Sequence, residues 1–187
     1  RKGAENARLA GFDGVEIHGA NGYLLDQFLK TGANHRRDDY GGSIENRARF
    51  LVDVTRAVTA AIGAERVGVR ISPTNAFQSM QDSDPAALFG HVAARLREFG
   101  LAYLHVLEPV TAAHPSADSQ GRVIAPVIRA AFGAPLMLNG GYDAASAEAA
   151  IVEGRAELIA FGVPYLANPD LPERLREGVE LNAPDFS

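Results

Sequence analysis

The chain has 187 residues, 47% apolar and 22% charged, enough for one sizeable core and ordinary for a soluble protein. Its net charge of −5 argues against a nucleic-acid or anionic-membrane partner, and the densest basic pair, Arg36-Arg37, is answered by Asp38-Asp39. The lack of cysteine excludes disulfides, a thiolate nucleophile and Cys-ligated metals, and fits a cytoplasmic setting; no apolar run approaches the ~20 residues of a membrane span, and no signal peptide is evident.

Strand-like runs fall at about 13–18, 66–72, 102–107, 135–139 and 157–162, with helical patterns between them. The clearest helix covers about 43–62, where Ile44, Leu51, Val54, Val58 and Ile62 make one apolar stripe. Ser43 is its expected N-cap, and Glu45 suits the positively polarised first turn. The next helix starts at Asp84-Pro85, a cap followed by proline at the first helical position, with Leu88, Val92, Leu96 and Phe99 facing inward. A weaker helical pattern runs from Arg122 to Phe132. Asp143 caps a fourth helix ending near Gly154, and a last one covers about 170–179. This alternation implies α/β architecture with a parallel sheet and crossover helices. No linker or low-complexity segment divides the chain, so residues 1–187 are expected to belong to a single domain.

Residues 16–28 carry the densest chemistry: Glu-Ile-His-Gly-Ala-Asn-Gly-Tyr-Leu-Leu-Asp-Gln-Phe. His18 and Asn21 can each offer an N–H to one acceptor, and Tyr23 adds a phenol that can give a proton and regain it from solvent. Two donors and a proton source at a strand's carboxyl end suit polarising a carbonyl while a nearby carbon is protonated. A lone His or Tyr there is more often structural, and Gly19 and Gly22 could simply make a turn. The second informative stretch, residues 32–50, reads Gly-Ala-Asn-His-Arg-Arg-Asp-Asp-Tyr-Gly-Gly-Ser-Ile-Glu-Asn-Arg-Ala-Arg-Phe. Together the two stretches closely resemble the Old Yellow Enzyme family of FMN-dependent ene-reductases, and His-x-x-Asn followed by Gly-Tyr-Leu resembles that family's main branch.

The resemblance implies a (β/α)8 TIM barrel, of which this chain covers about strands four to eight. Such a barrel closes with eight strands and typically ~250 residues, whereas five strands would leave two open edges. The sequence is therefore expected to be a fragment lacking the first strands and the extreme C-terminus, or to fold against a complementing N-terminal half; a homo-oligomer is the alternative assembly. A doubly wound open sheet is the competing geometry. Against it, no Gly-x-Gly-x-x-Gly follows the first strand, and polar residues end several different strands.

Barrel enzymes work at the carboxyl ends of their strands. Arg70 ends Val67-Gly68-Val69-Arg70, and an arginine in an apolar strand needs a charge partner, such as Glu16 or Glu108. By resemblance, Arg70 instead faces the N1/C2-carbonyl edge of FMN and stabilises its reduced, anionic form. Asn139-Gly140-Gly141 precedes a helix; tandem glycines can make a turn or let backbone N–H groups approach an anion. By resemblance, Asn139, Gly140 and Gly141 lie at the cofactor, the two glycines at its phosphate, with Gly162 and Val163 after the final strand. The family usually has arginine where Val163 stands, so only backbone donors remain there, a loss of ~1.5–3 kcal/mol for one charge-assisted contact. Tyr165 either lines the substrate pocket or packs. His105, within Tyr103-Leu104-His105-Val106-Leu107, reads as a hydrogen-bonded core residue, and Glu108 as a rim partner. His91 falls on a helix flank, and His35 and His114 in loops; no spacing suggests a metal site.

The resemblance implies that NADPH or NADH reduces FMN, and that an α,β-unsaturated carbonyl or nitro compound then accepts hydride at its β-carbon. His18 and Asn21 would bind the substrate oxygen, and Tyr23 would protonate the α-carbon. Two alternatives stand beside this: a catalytically incomplete half-barrel, and a flavin-free TIM-barrel enzyme acting on a phosphorylated substrate.

Overall fold

The computed structural model describes residues 1–75, 80–108 and 124–186. In chain order the elements are α1 (Lys2–Leu9), β1 (Val15–Gly19), α2 (Leu24–Leu29), α3 (Ile44–Ile62), β2 (Val67–Ile71), α4 (Pro85–Arg97), β3 (Tyr103–Leu107), α5 (Ala125–Phe132), β4 (Leu136–Asn139), α6 (Ala144–Val152), β5 (Leu158–Ile159), α7 (Val163–Ala167) and α8 (Leu171–Glu177). A 3-10 turn over Ala64–Arg66 leads into β2.

The strands form one five-stranded sheet in the order β1-β2-β3-β4-β5, every pair parallel. Sequential order without a reversal point is barrel topology; a doubly wound sheet would change direction along its strand order. The two faces differ sharply. Ile17, Val67, Val69, Ile71, Leu104, Val106, Leu136 and Leu138 alternate onto one face and are buried in the main core with Leu51, Leu88, Val92, Leu96, Ile128 and Phe132 of the helices. Each such fully buried side chain contributes about 1.5–3 kcal/mol. The helices lie side by side over that face, α3 against α1, α2 and α4, and α4 against α5. The opposite face carries Glu16, His18, Arg70, Tyr103, Met137 and Asn139, exposed or half-buried. It is the face that looks into the lumen of a closed barrel.

The expected helix starts are present. Ser43 Oγ accepts from Asn46 N at 3.3 Å, and Asp84 Oδ1 from Ala87 N at 3.1 Å with Pro85 behind it. Asp143 and Ser146 form a reciprocal capping box. α3 ends at Gly63, and α5 at Gly133 with φ 61°. Some boundaries shift. The run expected at 157–162 pairs only over Leu158–Ile159, because Gly162 and Pro164 start α7 immediately afterwards. Arg122 and Val123 lie outside the described residues, and α5 begins at Ala125. Helices α1, α2 and α7 carry no strong periodic signal, being eight, six and five residues long. Short helices of this kind take their stability from packing rather than from propensity.

The stretch 32–50 builds scaffold. Asn34 Nδ2 donates to the carbonyls of Phe28 at 2.6 Å and Tyr40 at 2.7 Å, folding the segment before α3 onto α2. Buried Arg47 reaches the Leu29 carbonyl and pairs with buried Asp82 at 2.5 Å; Asp82 Oδ2 also accepts from Thr31 N at 3.0 Å.

Candidate active site

β1 delivers His18 as its last lumen-facing residue, and the loop of residues 20–23 then turns into α2. His18 and Tyr23 stand side by side, ring centroids 5.3 Å apart at 57°. Tyr23 is 58% exposed, so its hydroxyl has access to solvent. Asn21 is the one non-glycine residue with positive φ (58°) among the described residues, and Gly22 follows at 77°. Asn75 Nδ2 donates to Asn21 Oδ1 at 3.1 Å, tying the oxygen end of that amide to the segment after β2, so that its NH2 end is the donor the amide has to offer.

His18 is in register with Arg70 on β2, and Arg70 with His105 on β3. The partner of Arg70 is Asn139, which accepts from Nη2 at 3.0 Å, rather than the carboxylate of Glu16 or Glu108. Asn139 Nδ2 in turn donates to the Ala160 carbonyl at 2.8 Å. His18, Arg70, Asn139 and Ala160 thus follow one rim of the sheet, at the carboxyl ends of four strands. Arg70 Nε is buried and has no hydrogen-bond partner among the described residues. An orphaned guanidinium N–H calls for an acceptor, and the carbonyl edge of FMN is of the right kind.

The glycine-rich corner also fits a cofactor. Gly140 adopts φ 143°, and a Cβ there would sit 2.7 Å from the Glu108 carbonyl oxygen; Gly141 follows at φ 69°. Only glycine allows this backbone to turn so tightly before α6. A Cβ on Gly162 would meet nothing within 4 Å among the described residues, which leaves room for a ligand ahead of α7. Val163 is half exposed as the first residue of α7, and Tyr165 is exposed on the same short helix.

Below the rim the lumen face is cross-linked. His105 Nδ1 lies 2.9 Å from Glu16 Oε2, bridging β1 and β3 across β2. The bridge is possible because Gly68 separates them: a side chain there would collide with the Tyr103 ring, which passes over the glycine to hydrogen-bond Glu16. Burial would raise the Glu16 carboxyl, but the His105 hydrogen bond and charge, Tyr103 and the charge of Arg70 bring it below the ordinary carboxylate value. Burial, with the Glu16 charge beside it, pushes the Tyr103 phenol to about 12. Tyr142 is likewise raised to about 12 by burial and by its hydrogen bond to Glu108. Both phenols are therefore neutral donors at physiological pH. His105 and Glu108 take the packing and rim roles their positions suggest, while His114 lies outside the described residues.

Sequence reasoning missed the support beneath the loop. Asp26, Lys30 and Ser72 are fully buried: Ser72 donates to Asp26, Lys30 donates to the Ser72 carbonyl and is ion-paired with Asp26, and Ser72 and Asp26 accept from the loop backbone. Their signal was present: an acid and a base at i and i+4 in a segment that also carries Leu24, Leu25, Phe28 and Leu29. Burial raises the Asp26 carboxyl and lowers the Lys30 ammonium, each opposed by the partner's charge. No cluster of His, Cys, Asp and Glu able to hold a metal occurs among the described residues, and no helix there is long and apolar enough to cross a membrane.

The chain is similar to rice 12-oxophytodienoate reductase 1, 46% identical over 188 residues, covering all of this chain and 49% of that protein. The putative 12-oxophytodienoate reductase 10 of rice is 48% identical, with 100% of this chain and 60% of the relative covered. Among solved structures, the Old Yellow Enzyme homologue of Zymomonas mobilis superposes with a TM-score of 0.94 at 43% identity, covering 99% of this chain and 52% of that one. Morphinone reductase superposes with a TM-score of 0.91 at 45% identity, covering 98% and 48%. The chain thus spans about half the length of most of these relatives, and its five-stranded sheet corresponds to part of a TIM barrel. The model of the NADH:flavin oxidoreductase / NADH oxidase family matches residues 1–182, and the chain belongs to that family.

Proposed function

We propose that this chain carries the cofactor-facing and substrate-facing residues of an FMN-dependent NAD(P)H oxidoreductase that reduces the activated C=C bond of α,β-unsaturated carbonyl or nitro compounds. The observation that carries the reading is the grouping of His18 and Tyr23 after β1, with His18 in register with an Arg70 whose Nε lacks an acceptor among the described residues. FMN, when bound, supplies the hydride it has taken from NADPH or NADH. Arg70 donates to the carbonyl edge of FMN and offsets its negative charge, with Asn139 holding the guanidinium. Gly140, Gly141, Gly162 and Val163 offer backbone N–H groups on the phosphate side, with no arginine at position 163.

His18 and Asn21 donate to the substrate oxygen and draw electron density from the alkene. Tyr23 gives its proton to the α-carbon and regains one from solvent, which its exposure permits. Tyr165 borders the substrate. The names of the relatives, oxophytodienoate and morphinone reductases, denote oxo compounds and support a carbonyl-binding pair. A neighbour solved with tetrahydroNAD supports a nicotinamide donor. The lack of cysteine is compatible with a cytoplasmic setting.

A second reading is favoured by the open lumen face. The polar row Glu16, His18, Arg70 and Asn139 lies on a sheet whose outer strands are β1 and β5, and these residues work as a site once further strands cover that face. One experiment separates the readings. The purified protein is titrated with FMN, and its absorbance near ~450 nm is followed through gel filtration. Co-elution of a yellow species that bleaches with NADH or NADPH and recovers with an enone supports the first reading. A colourless chain that turns yellow only with a complementing half, or in a defined oligomer, supports the second. Failure to bind FMN in any assembly refutes both.

A further inference from the structure

We propose that Asp26, Lys30 and Ser72 form a buried positioning unit for the loop of residues 20–23, and that the Ser72 hydroxyl fixes how Asn21 meets a substrate oxygen. The inference rests on the reading of His18 and Asn21 as the oxygen-binding pair. Ser72 Oγ accepts from Asn21 N at 2.8 Å and donates to Asp26 Oδ2 at 3.2 Å. The same carboxylate oxygen accepts from Gly22 N at 2.9 Å. Lys30 Nζ donates to the carbonyls of Ser72 at 2.7 Å and Asn75 at 3.2 Å, and lies 3.4 Å from Asp26 Oδ1.

A serine hydroxyl has one hydrogen to give. Because an ionised Asp26 can only accept, that hydrogen points to Asp26, and a lone pair of Ser72 is left for the Asn21 amide. Two consecutive backbone N–H groups, Asn21 and Gly22, are thereby drawn to one buried anchor. Both residues lie in the left-handed region, which glycine adopts freely and asparagine more readily than other side chains, and the two hydrogen bonds fix the turn in that conformation. Lys30 closes the arrangement from the other side: it balances the charge of Asp26 and ties the backbone after β2 to α2. The backbone groups the cluster binds are those of Asn21 and Gly22, within the turn between His18 and Tyr23.

The test compares the intact protein with its Ser72→Ala and Ser72→Thr variants. Amide hydrogen exchange is read at Asn21, Gly22, Val69 and Ile71, and affinity is measured for FMN and for 4-hydroxybenzaldehyde, a phenolic probe of the oxygen-binding pair. Ser72→Ala is expected to speed exchange at Asn21 and Gly22 at least ten-fold while Val69 and Ile71 stay protected. Probe affinity is expected to fall about ten-fold, with FMN affinity within two-fold. Ser72→Thr keeps the hydroxyl and is expected to restore both. Exchange and probe affinity within two-fold of wild type in Ser72→Ala would overturn the proposal, as would faster exchange with unchanged probe affinity. If the wild type binds neither FMN nor the probe, the functional reading fails, and so does this assignment of Asn21; the exchange data then report only how the loop is held.

Discussion

Arg70 Nη2 donates to Asn139 Oδ1 at 3.0 Å, joining β2 to β4 over the top of β3. The link spans two strand spacings, about 9.6 Å, which only a long side chain can cross. It leaves Arg70 Nε without a partner among the described residues, so the guanidinium is both anchored and available. A preorganised donor of this kind costs no rearrangement when an acceptor arrives.

Asn139→Ala should therefore weaken FMN binding without removing any group that touches the cofactor's ring directly. One lost hydrogen bond of about 1 kcal/mol corresponds to roughly five-fold in Kd. Arg70→Met should cost more, about ten- to a hundred-fold, because the charge-assisted contact disappears. Fluorescence titration of FMN measures both, and equal affinities across the three proteins would show that Arg70 does not face the cofactor.

Tyr23→Phe should separate the two half-reactions. Loss of a positioned proton donor slows the step that uses it by about 10²–10⁴-fold. Stopped-flow reoxidation by an enone should slow by that order, while reduction by NAD(P)H changes little. Equal slowing of both steps would dismiss Tyr23 as the proton source.

Replacing His18 and Asn21 together by alanine should lower affinity for phenolic ligands and enones by about two to three orders of magnitude, since two donors of about 1.5–2 kcal/mol each face one oxygen. FMN content should stay near that of the wild type. Unchanged ligand affinity would remove the pair from the site.

Lys30→Met leaves the fully buried Asp26 carboxylate without its counter-charge. The expected loss of stability is about 3–5 kcal/mol. The double variant Asp26→Asn/Lys30→Met should recover a large part of it, because neither remaining side chain is charged. Urea denaturation of the two single variants and the double variant measures the coupling; additive losses would mean that the pair is not coupled.

Glu157 is held near a pKa of about 2, down from 4.5, chiefly by its hydrogen bonds to Arg129 and to the Leu136 amide at 2.8 Å. The folded form prefers the ionised carboxylate, so its stabilisation is complete above 4.5 and is lost as pH falls from there towards 2. Both side chains are substantially exposed, which limits the contribution to about 1 kcal/mol or less. Glu157→Gln should lower stability slightly at pH 7 and flatten the acid dependence in that window. Parallel acid-denaturation curves for the two proteins would rule the pair out as a contributor.

The strand–helix alternation, the caps at Ser43, Asp84 and Asp143 and the apolar faces of α3 and α4 were legible because each depends on neighbours within a few residues. The grouping of His18, Asn21 and Tyr23 was legible for the same reason, since they sit within one strand end and one turn. The short helix α2 was not: its six residues have too little periodicity to read, and its stability comes from packing on α3.

What the sequence determined by itself is therefore the local order of elements and the chemical inventory of each strand end. Only the tertiary structure decided which ends meet. The Arg70–Asn139 contact joins residues 69 positions apart, and the Asn21–Ser72 bond residues 51 apart. Parallel register places His18 beside Arg70 and leaves Gly68 as the gap through which Glu16 reaches His105 and Tyr103. Spacing along the chain carries no information on such pairings, because strands joined by crossover helices are brought together only by the packing of the whole sheet and its helices.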